Sequence, residues 1–232
     1  MALVGGWMLL ALNANADPTY GFQNITANNL ANAASGQSQL YFTLTDAGSS
    51  GGHNQVMFTF FNTGPAAMSI ADIYFDDGAL LGIASFTPSA GVAFSVTASP
   101  GNLPGHTPYD FRPEYNGTAN SHFAADSDSP VQPNGVNPGE TLGILYNLQT
   151  GRTYADVLSS LALSQTDMQH DLDGGLRVGI HVQGFAGGGS ESFLNGPGNF
   201  TPASTPDASA TISLLGLALL GLHGLHRRFA RV

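Results

Sequence analysis

Closely spaced aspartates offer the clearest metal-binding chemistry in this sequence. They form three pairs, Asp76-Asp77, Asp126-Ser-Asp128 and Asp171-Leu-Asp173. Calcium takes about six to eight oxygen ligands, and carboxylates two positions apart on an extended chain project to the same side. The second and third pairs therefore predict calcium ligands at Asp126, Asp128, Asp171 and Asp173. Ordinary Asp-Gly turns explain the same residues without a metal, and the sequence leaves that alternative open.

A long segment, residues 99–139, is the second candidate for a site. It is rich in Pro, Gly, Asn and Asp, and it is too long for an ordinary connection. Tyr109, Arg112 and Tyr115 offer aromatic and polar groups of the kind that bind carbohydrate. The alternative is that the aromatic side chains of the segment fold back and anchor it on the body of the protein. These aromatic residues are Tyr109, Phe111, Tyr115 and Phe123.

Catalytic chemistry has little support in the sequence. The histidines of the central region lack the paired spacing of zinc ligands. The glycine-rich run before Ser190 lacks the Gly-x-Ser-x-Gly pattern of a nucleophile elbow. Three glutamates occur, and the sequence places no two of them together as glycoside hydrolysis requires. We therefore predict a protein that is not an enzyme and has no cofactor other than the candidate calcium.

The charge balance argues against one class of partner. Between residues 17 and 206, fifteen acidic residues stand against three arginines, which gives a net charge of −12, and the chain has no lysine. Nucleic acids are bound by basic surfaces, so a nucleic-acid partner is not expected. Charged residues make up 9% of the chain and cysteine is absent. Packing and backbone hydrogen bonds must therefore stabilise the fold without disulfides.

Short apolar runs between Gly- and Pro-rich turns predict an all-β domain. Leu40, Phe42 and Leu44 alternate with polar residues, and 56–61 is a continuous apolar run. Further strands are predicted at 68–75, 80–86, 91–97, 141–148 and 176–183. In the last of these, alternation assigns one set of residues to the core and the other to the outside. The core set is Leu176, Val178, Ile180 and Val182, and the outer set is Arg177, His181 and Gln183.

One short helix is predicted over Tyr154–Leu163. Thr153 and Asp156 fit a capping box at its start, and its apolar stripe indicates packing against the strands. Seven or eight short strands with this helix predict an antiparallel two-sheet sandwich, jelly-roll-like in outline, over residues 17–200.

Both ends of the chain carry targeting features. The apolar residues 2–12, followed by Ala14-Asn-Ala16, predict a signal peptide over 1–16. No Lys or Arg precedes the apolar run, so we expect the true start to lie upstream. Near the other end, Pro206-Asp207 precedes 19 uncharged residues and then Arg227-Arg228. As a helix this run would reach about 28 Å, close to the roughly 30 Å of a hydrocarbon core.

The order of these C-terminal features resembles the PEP-CTERM class of bacterial sorting signals: a short Pro-containing motif, a Leu- and Gly-rich span, then arginines. The motif here, Thr205-Pro-Asp-Ala-Ser209, is also similar to a Val-Pro-Asp-Ser-Gly variant. The resemblance implies export from a Gram-negative-type bacterium, transient membrane anchoring of 201–232, and processing by an exosortase, a sorting transpeptidase. It assigns the sorting motif to Pro206, Asp207, Arg227 and Arg228.

Together these features predict a non-catalytic exported protein of the cell surface or extracellular matrix, for example in a biofilm. The first alternative is a carbohydrate- or polymer-binding module that uses the segment 99–139, with an extracellular polysaccharide as partner. The second alternative is a secreted hydrolase.

Overall fold

The structure is a computed structural model that describes residues 17–76, 78–113 and 123–196. All of these lie in the first of the chain's two units, Met1–Phe200, and the second unit, Thr201–Val232, lies outside the described residues. The prediction of an all-β, antiparallel fold is confirmed. The described residues form the strands β1 (Thr19–Asn24), β2 (Leu40–Ser50), β3 (His53–Asn62), β4 (Ser69–Phe75), β5 (Leu80–Pro88), β6 (Phe94–Val96), β7 (Ala124–Ser127), β8 (Thr141–Leu148), β9 (Val178–Gln183) and β10 (Glu191–Asn195).

The ten strands form one continuous ladder in the order β5-β8-β3-β2-β1-β10-β9-β4-β7-β6. Strand β1 joins a first half, β5 to β2, to a second half, β10 to β6. Its residues 19–21 pair with β2, and its residues 22–24 pair with β10. The halves face each other across one core, where the Phe75 ring centroid lies 5.0 Å from that of Phe58 and 4.7 Å from that of Tyr146. The strand order does not confirm two separate sheets.

The core face follows from alternation along the strands of the first half. Leu40, Phe42 and Leu44 of β2 are fully buried, as predicted. In the second half, β6 is shorter than the predicted strand 91–97, and its Val96 is exposed. In the second half every residue of β4 is buried, including the charged Asp72. Both faces of β4 must therefore be covered.

The outer face of the second half is covered by part of the segment 99–139. Leu103 and Phe111 are fully buried against it, and the apolar group they belong to is called the outer cluster below. The outer cluster consists of Tyr74, Leu103, Phe111, Ala124 and Leu194. Gly179 of β9 lies beneath it, because a Cβ there would stand 2.7 Å from Leu103 Cδ2. This close approach requires a glycine in β9.

The α-helices of the described residues are α1 (Leu30–Gln39), α2 (Val131–Asn134) and α3 (Tyr154–Ser164), and a single 3₁₀ turn lies at Thr107–Tyr109. The predicted helix is α3, and its capping box at Thr153 and Asp156 is confirmed. The prediction of a single helix is wrong. Helix α1 contains Gly, Ser and Asn, which are weak helix formers. It is stabilised instead by the Asn29 side chain, which caps its first turn, and by Gly36, which packs against the Phe193 ring.

The interpretation of 99–139 as one long connection is wrong as well, because β7 and α2 lie within it. Among the described helices, none is long and apolar enough to cross a membrane. The predicted C-terminal membrane helix and the predicted signal peptide lie outside the described residues.

Candidate functional site

A row of polar residues crosses the outer face of the second half and is the most unusual feature of the described structure. The strand registers place its members opposite one another on neighbouring strands. We call it the polar row, and it consists of Ser95 on β6, Asp126 on β7, Asp72 on β4, His181 on β9 and Ser192 on β10. Register partners project to the same face of a sheet, so these side chains lie side by side.

Asp72 and His181 form the buried centre of the polar row. The Nδ1 atom of His181 lies 2.8 Å from Asp72 Oδ2, and both residues are buried. A carboxylate can only accept a hydrogen bond, so His181 carries its proton on Nδ1. The other oxygen, Asp72 Oδ1, is buried and has no hydrogen-bond partner among the donors of the described chain. Such an atom is costly to bury.

Asp126 on β7 is the cross-strand partner of Asp72. Partial burial raises the pKa of Asp126 to about 6, and the charge of Asp72 and a side-chain hydrogen bond with Asp72 act in the same direction. A hydrogen bond from the Ser99 backbone acts the opposite way. Two ionised carboxylates cannot hydrogen-bond to each other, so a bond between them forms only when one of them carries a proton.

Ser192, His181 and Asp72 stand in the order of a serine–histidine–aspartate triad. His181 donates to Asp72 through Nδ1, which leaves its Nε2 for another partner. However, Ser192 is fully buried and its Oγ makes no hydrogen bond within the described chain. It also lies within a strand and not on an exposed turn. The arrangement therefore lacks the exposed, base-activated nucleophile that acyl transfer requires.

A second buried charged pair ties the loops to the strands. The prediction that Arg177 projects outward is wrong: its Nε donates to Asp76 Oδ2 at 2.6 Å, and both residues are buried. Its Nη atoms donate to the carbonyl oxygens of Tyr109 at 2.6 Å and Asp110 at 3.1 Å, and its guanidinium lies over the Phe111 ring. Burial raises the pKa of Asp76 to about 7, although Arg177 acts in the opposite direction.

Glu191 holds the chain that leads into α1. Its carboxylate accepts hydrogen bonds from Asn24 Nδ2 at 3.0 Å, from Thr26 Oγ1 at 2.6 Å, and from the backbone N–H groups of Asn28 at 3.1 Å and Asn29 at 2.6 Å. Burial alone would raise the pKa of Glu191, but these donors lower it below its usual range. We call this arrangement the Glu191 clamp.

The predicted calcium ligands are not brought together. Asp126 contacts Asp72, and Asp128 Oδ1 accepts a hydrogen bond from Ser95 at 2.7 Å. Asp171 lies 3.7 Å from an Nη atom of Arg177, and Asp173 is exposed. In the parts of the chain that the structure describes, no three His, Cys, Asp or Glu side chains are grouped to hold a metal ion. Calcium binding stays a prediction.

The predicted carbohydrate-binding residues are partly engaged in packing. Tyr109 packs on the outer cluster, while Arg112 is exposed and lies 3.7 Å from Asp110. Phe111 and Phe123 are buried, which confirms the alternative that these two aromatic side chains fold back onto the body. Tyr115 and the sorting-motif residues Pro206, Asp207, Arg227 and Arg228 lie outside the described residues.

A cleft of about 390 Å³ lies elsewhere, between α2 and the chain before β4. Its lining has no charged side chain and includes three prolines with two amides. These residues are Pro65, Pro133, Pro138, Gln132 and Asn137. Proline rings and amides suit the apolar faces and hydroxyl groups of an uncharged ligand.

Reasoning from the sequence missed Asp72, Asp76, Arg177 and His181 as a group. The sequence does carry a signal for this group. Asp72 and Asp76 are four residues apart in one strand region, and Arg177 and His181 are four residues apart in another. On antiparallel strands equal spacings match, and they give the pairs Asp72–His181 and Asp76–Arg177.

Comparison with protein-family models, with curated proteins and with solved structures finds no match for this chain.

Proposed function

We propose that this chain is a non-catalytic protein of the cell surface or extracellular matrix, exported and then processed through a PEP-CTERM-like signal. The observation that carries the proposal is the order of features after residue 205: Pro206-Asp207, an uncharged apolar run, then Arg227-Arg228. Apolar runs of this length enter bilayers, and flanking arginines stay on the cytoplasmic side. The body would then lie on the far side of the membrane, folded as a sandwich of two facing halves.

The described body supports a structural role. Its buried charged groups bond within the protein, where Arg177 and Glu191 fix loops and the start of α1 to the strands. Ser192, the register partner of His181 in the polar row, is fully buried. Because Ser192 is buried and the described residues hold no group of three metal-binding side chains, we place the secreted hydrolase last.

The test is expression of the full chain, with an epitope tag in the exposed β2–β3 turn, in a Gram-negative host that has an exosortase. We expect processing and surface or medium localisation. The variant Arg227→Ala/Arg228→Ala should accumulate unprocessed in the membrane fraction, because the arginines end the signal. Arg152→Ala is the matched control, since it removes an exposed arginine of the body. Unprocessed wild-type protein in the cytosol would overturn the proposal.

The second candidate function is binding of an uncharged polymer such as a polysaccharide. It is favoured by the cleft, because Gln132, Pro133, Asn137 and Pro138 all belong to the segment 99–139. A strongly acidic body repels polyanions, so a neutral chain of sugars fits better. A glycan array tests it: binding should be lost in Gln132→Ala and kept in Gln165→Ala. An array without saturable binding would remove this candidate.

A further inference from the structure

The unpartnered oxygen of Asp72 is the observation that leads furthest beyond the proposed function. Asp72 is 2% exposed, and its Oδ1 has no hydrogen-bond donor among the described residues, while Oδ2 is bonded to His181. Asp126 is the cross-strand partner of Asp72, so the two carboxyl groups lie side by side on one face of the sheet. A proton on Asp126 would supply the donor that Asp72 Oδ1 lacks.

We propose that Asp126 and Asp72 share one proton, with the Asp126 O–H donating to Asp72 Oδ1, and that this bond is a pH-sensitive latch for the strands β7 and β6. When the pH rises, the proton leaves to solvent and no other bond is broken. Two carboxylates then face each other across the β4–β7 junction, and Asp72 Oδ1 is again without a donor.

The position of the pair explains why its protonation matters. Strands β7 and β6 are the last two of the ladder, and β6 pairs with β7 alone. Strand β7 is joined to β4 through three residue pairs, one of which is Asp126 with Asp72. Repulsion at one of three pairs weakens the junction that holds both strands in place. Residues 94–97 and 124–127 should therefore open more readily when the pair is doubly ionised.

The surroundings of Asp126 favour the protonated form. From β7 itself Asp128 adds negative charge, and from β4 Asp72 and Tyr74 face the site. From β9 the nearest titratable group is His181, whose Nδ1 is committed to Asp72 Oδ2. Strand β6 contributes Ser95, whose hydroxyl donates to Asp128. A hydrogen bond from the Ser99 backbone acts in the opposite direction and favours the ionised form of Asp126.

The raised pKa of Asp126, about 6, fixes the pH window. A group whose folded pKa exceeds its unfolded value stabilises the fold fully below the unfolded value, which is about 4 for Asp. That stability is lost as the pH rises through the folded value. The latch should therefore weaken between about pH 4 and pH 6. The equilibrium constant for opening should rise by at most about tenfold per pH unit.

The experiment is amide hydrogen exchange of wild-type protein and two variants between pH 4 and pH 7. In the wild type, protection of residues 94–97 and 124–127 should fall as the pH rises. In Asp126→Asn the amide donates to Asp72 Oδ1 at every pH, so this fall should disappear. Asp173→Asn, at an exposed position away from β6 and β7, is the control and should keep it. A pH dependence in Asp126→Asn equal to that of the wild type would overturn the proposal.

A second measurement needs no variant. The carboxyl ¹³C resonance of Asp126, followed by NMR, should titrate with a midpoint near pH 6, and the Asp72 resonance should move in the same step. Titration of Asp126 near pH 4, with Asp72 unmoved, would show that no proton is shared and would equally overturn the latch. Because the measurement concerns the folded body, neither outcome depends on export or processing.

Discussion

Glu191 and Asp126 lie in the same half of the ladder, yet their carboxyl groups respond to the protein in opposite ways. Glu191 is the more deeply buried of the two, and its pKa is lowered. Asp126 is partly exposed, and its pKa is raised to about 6. Burial raises the pKa of both groups, so burial alone does not explain the opposite directions. The number of donors does, because Glu191 accepts from four groups while Asp126 faces another carboxylate.

The contrast separates structural from responsive polar groups in this molecule. A carboxylate saturated with donors stays ionised over the ordinary pH range and fixes its neighbours, as in the Glu191 clamp. A carboxylate left beside another acid binds a proton whose loss changes the local structure. Asp76 is intermediate, because it is buried like Glu191 but has the Arg177 guanidinium as its main donor.

Removing that guanidinium should have the largest effect on stability. In Arg177→Met, Asp76 is left buried without its main partner, and Tyr109 and Asp110 lose the donor to their carbonyl groups. We expect the free energy of unfolding at pH 7 to fall by about 3–5 kcal/mol. The loss should be smaller near pH 4, where an unpaired Asp76 is neutral. Urea unfolding at both pH values measures it.

Arg152→Met is the control for that change. Arg152 is exposed and forms only a long ion pair with Asp156, at 3.8 Å. Its replacement should alter the free energy of unfolding by less than about 0.5 kcal/mol. Equal losses in the two variants would show that the buried donors contribute nothing specific.

Glu191→Gln tests the saturated acid itself. The amide keeps the size of the side chain, but it removes the charge and replaces one of the two acceptor oxygens that the four donors share. We therefore expect the free energy of unfolding at pH 7 to fall by about 1–3 kcal/mol. Because the folded pKa of Glu191 is lowered, its contribution is present above the unfolded value and lost as the pH falls through the folded value. The difference from wild type should therefore shrink in acid. Asp173→Asn, at an exposed position, should show no such trend.

Much of the fold could be predicted from the sequence, for reasons that particular strands illustrate. Strand β8 has the predicted bounds, and α3 begins at the predicted capping box, because alternation and caps are local signals. Strand β10 follows a glycine-rich run and is not among the predicted strands. Its place depends on pairing with β1 and β9, and such long-range pairing has no local signature.

The candidate site was less predictable, because inferring exposure from apolar–polar alternation assumes that one face of the sheet is in contact with solvent. Arg177 and His181 were assigned outward on that assumption, and the segment 99–113 then covered the face on which they lie. The spacing within the two predicted aspartate pairs indicates calcium ligands. The structure instead pairs Asp126 with Asp72 and places Asp171 near Arg177, through contacts that no spacing along the chain encodes.

Asp126→Asn should change stability in the direction opposite to Glu191→Gln. At pH 7 the variant removes one of two facing carboxylates and provides a permanent donor to Asp72 Oδ1. We expect a gain of less than about 1 kcal/mol, small because the position is partly exposed to solvent. Thermal unfolding at pH 7 and pH 4 checks the sign: the gain should vanish at pH 4. A loss at pH 7 comparable to that of Glu191→Gln would remove the distinction between the two acids.

Ser192→Ala should have the smallest effect and decides how the polar row is understood. Its hydroxyl is buried without a partner, so removing it costs no hydrogen bond and relieves an unsatisfied group. We expect the free energy of unfolding to stay within about 1 kcal/mol of wild type, and a fluorophosphonate probe to label neither protein. Ser190→Ala, outside the strand, is the control. Labelling of the wild type that is lost in Ser192→Ala but kept in Ser190→Ala would show that Ser192 becomes accessible and reacts as a nucleophile. The polar row would then be a catalytic triad that opens transiently.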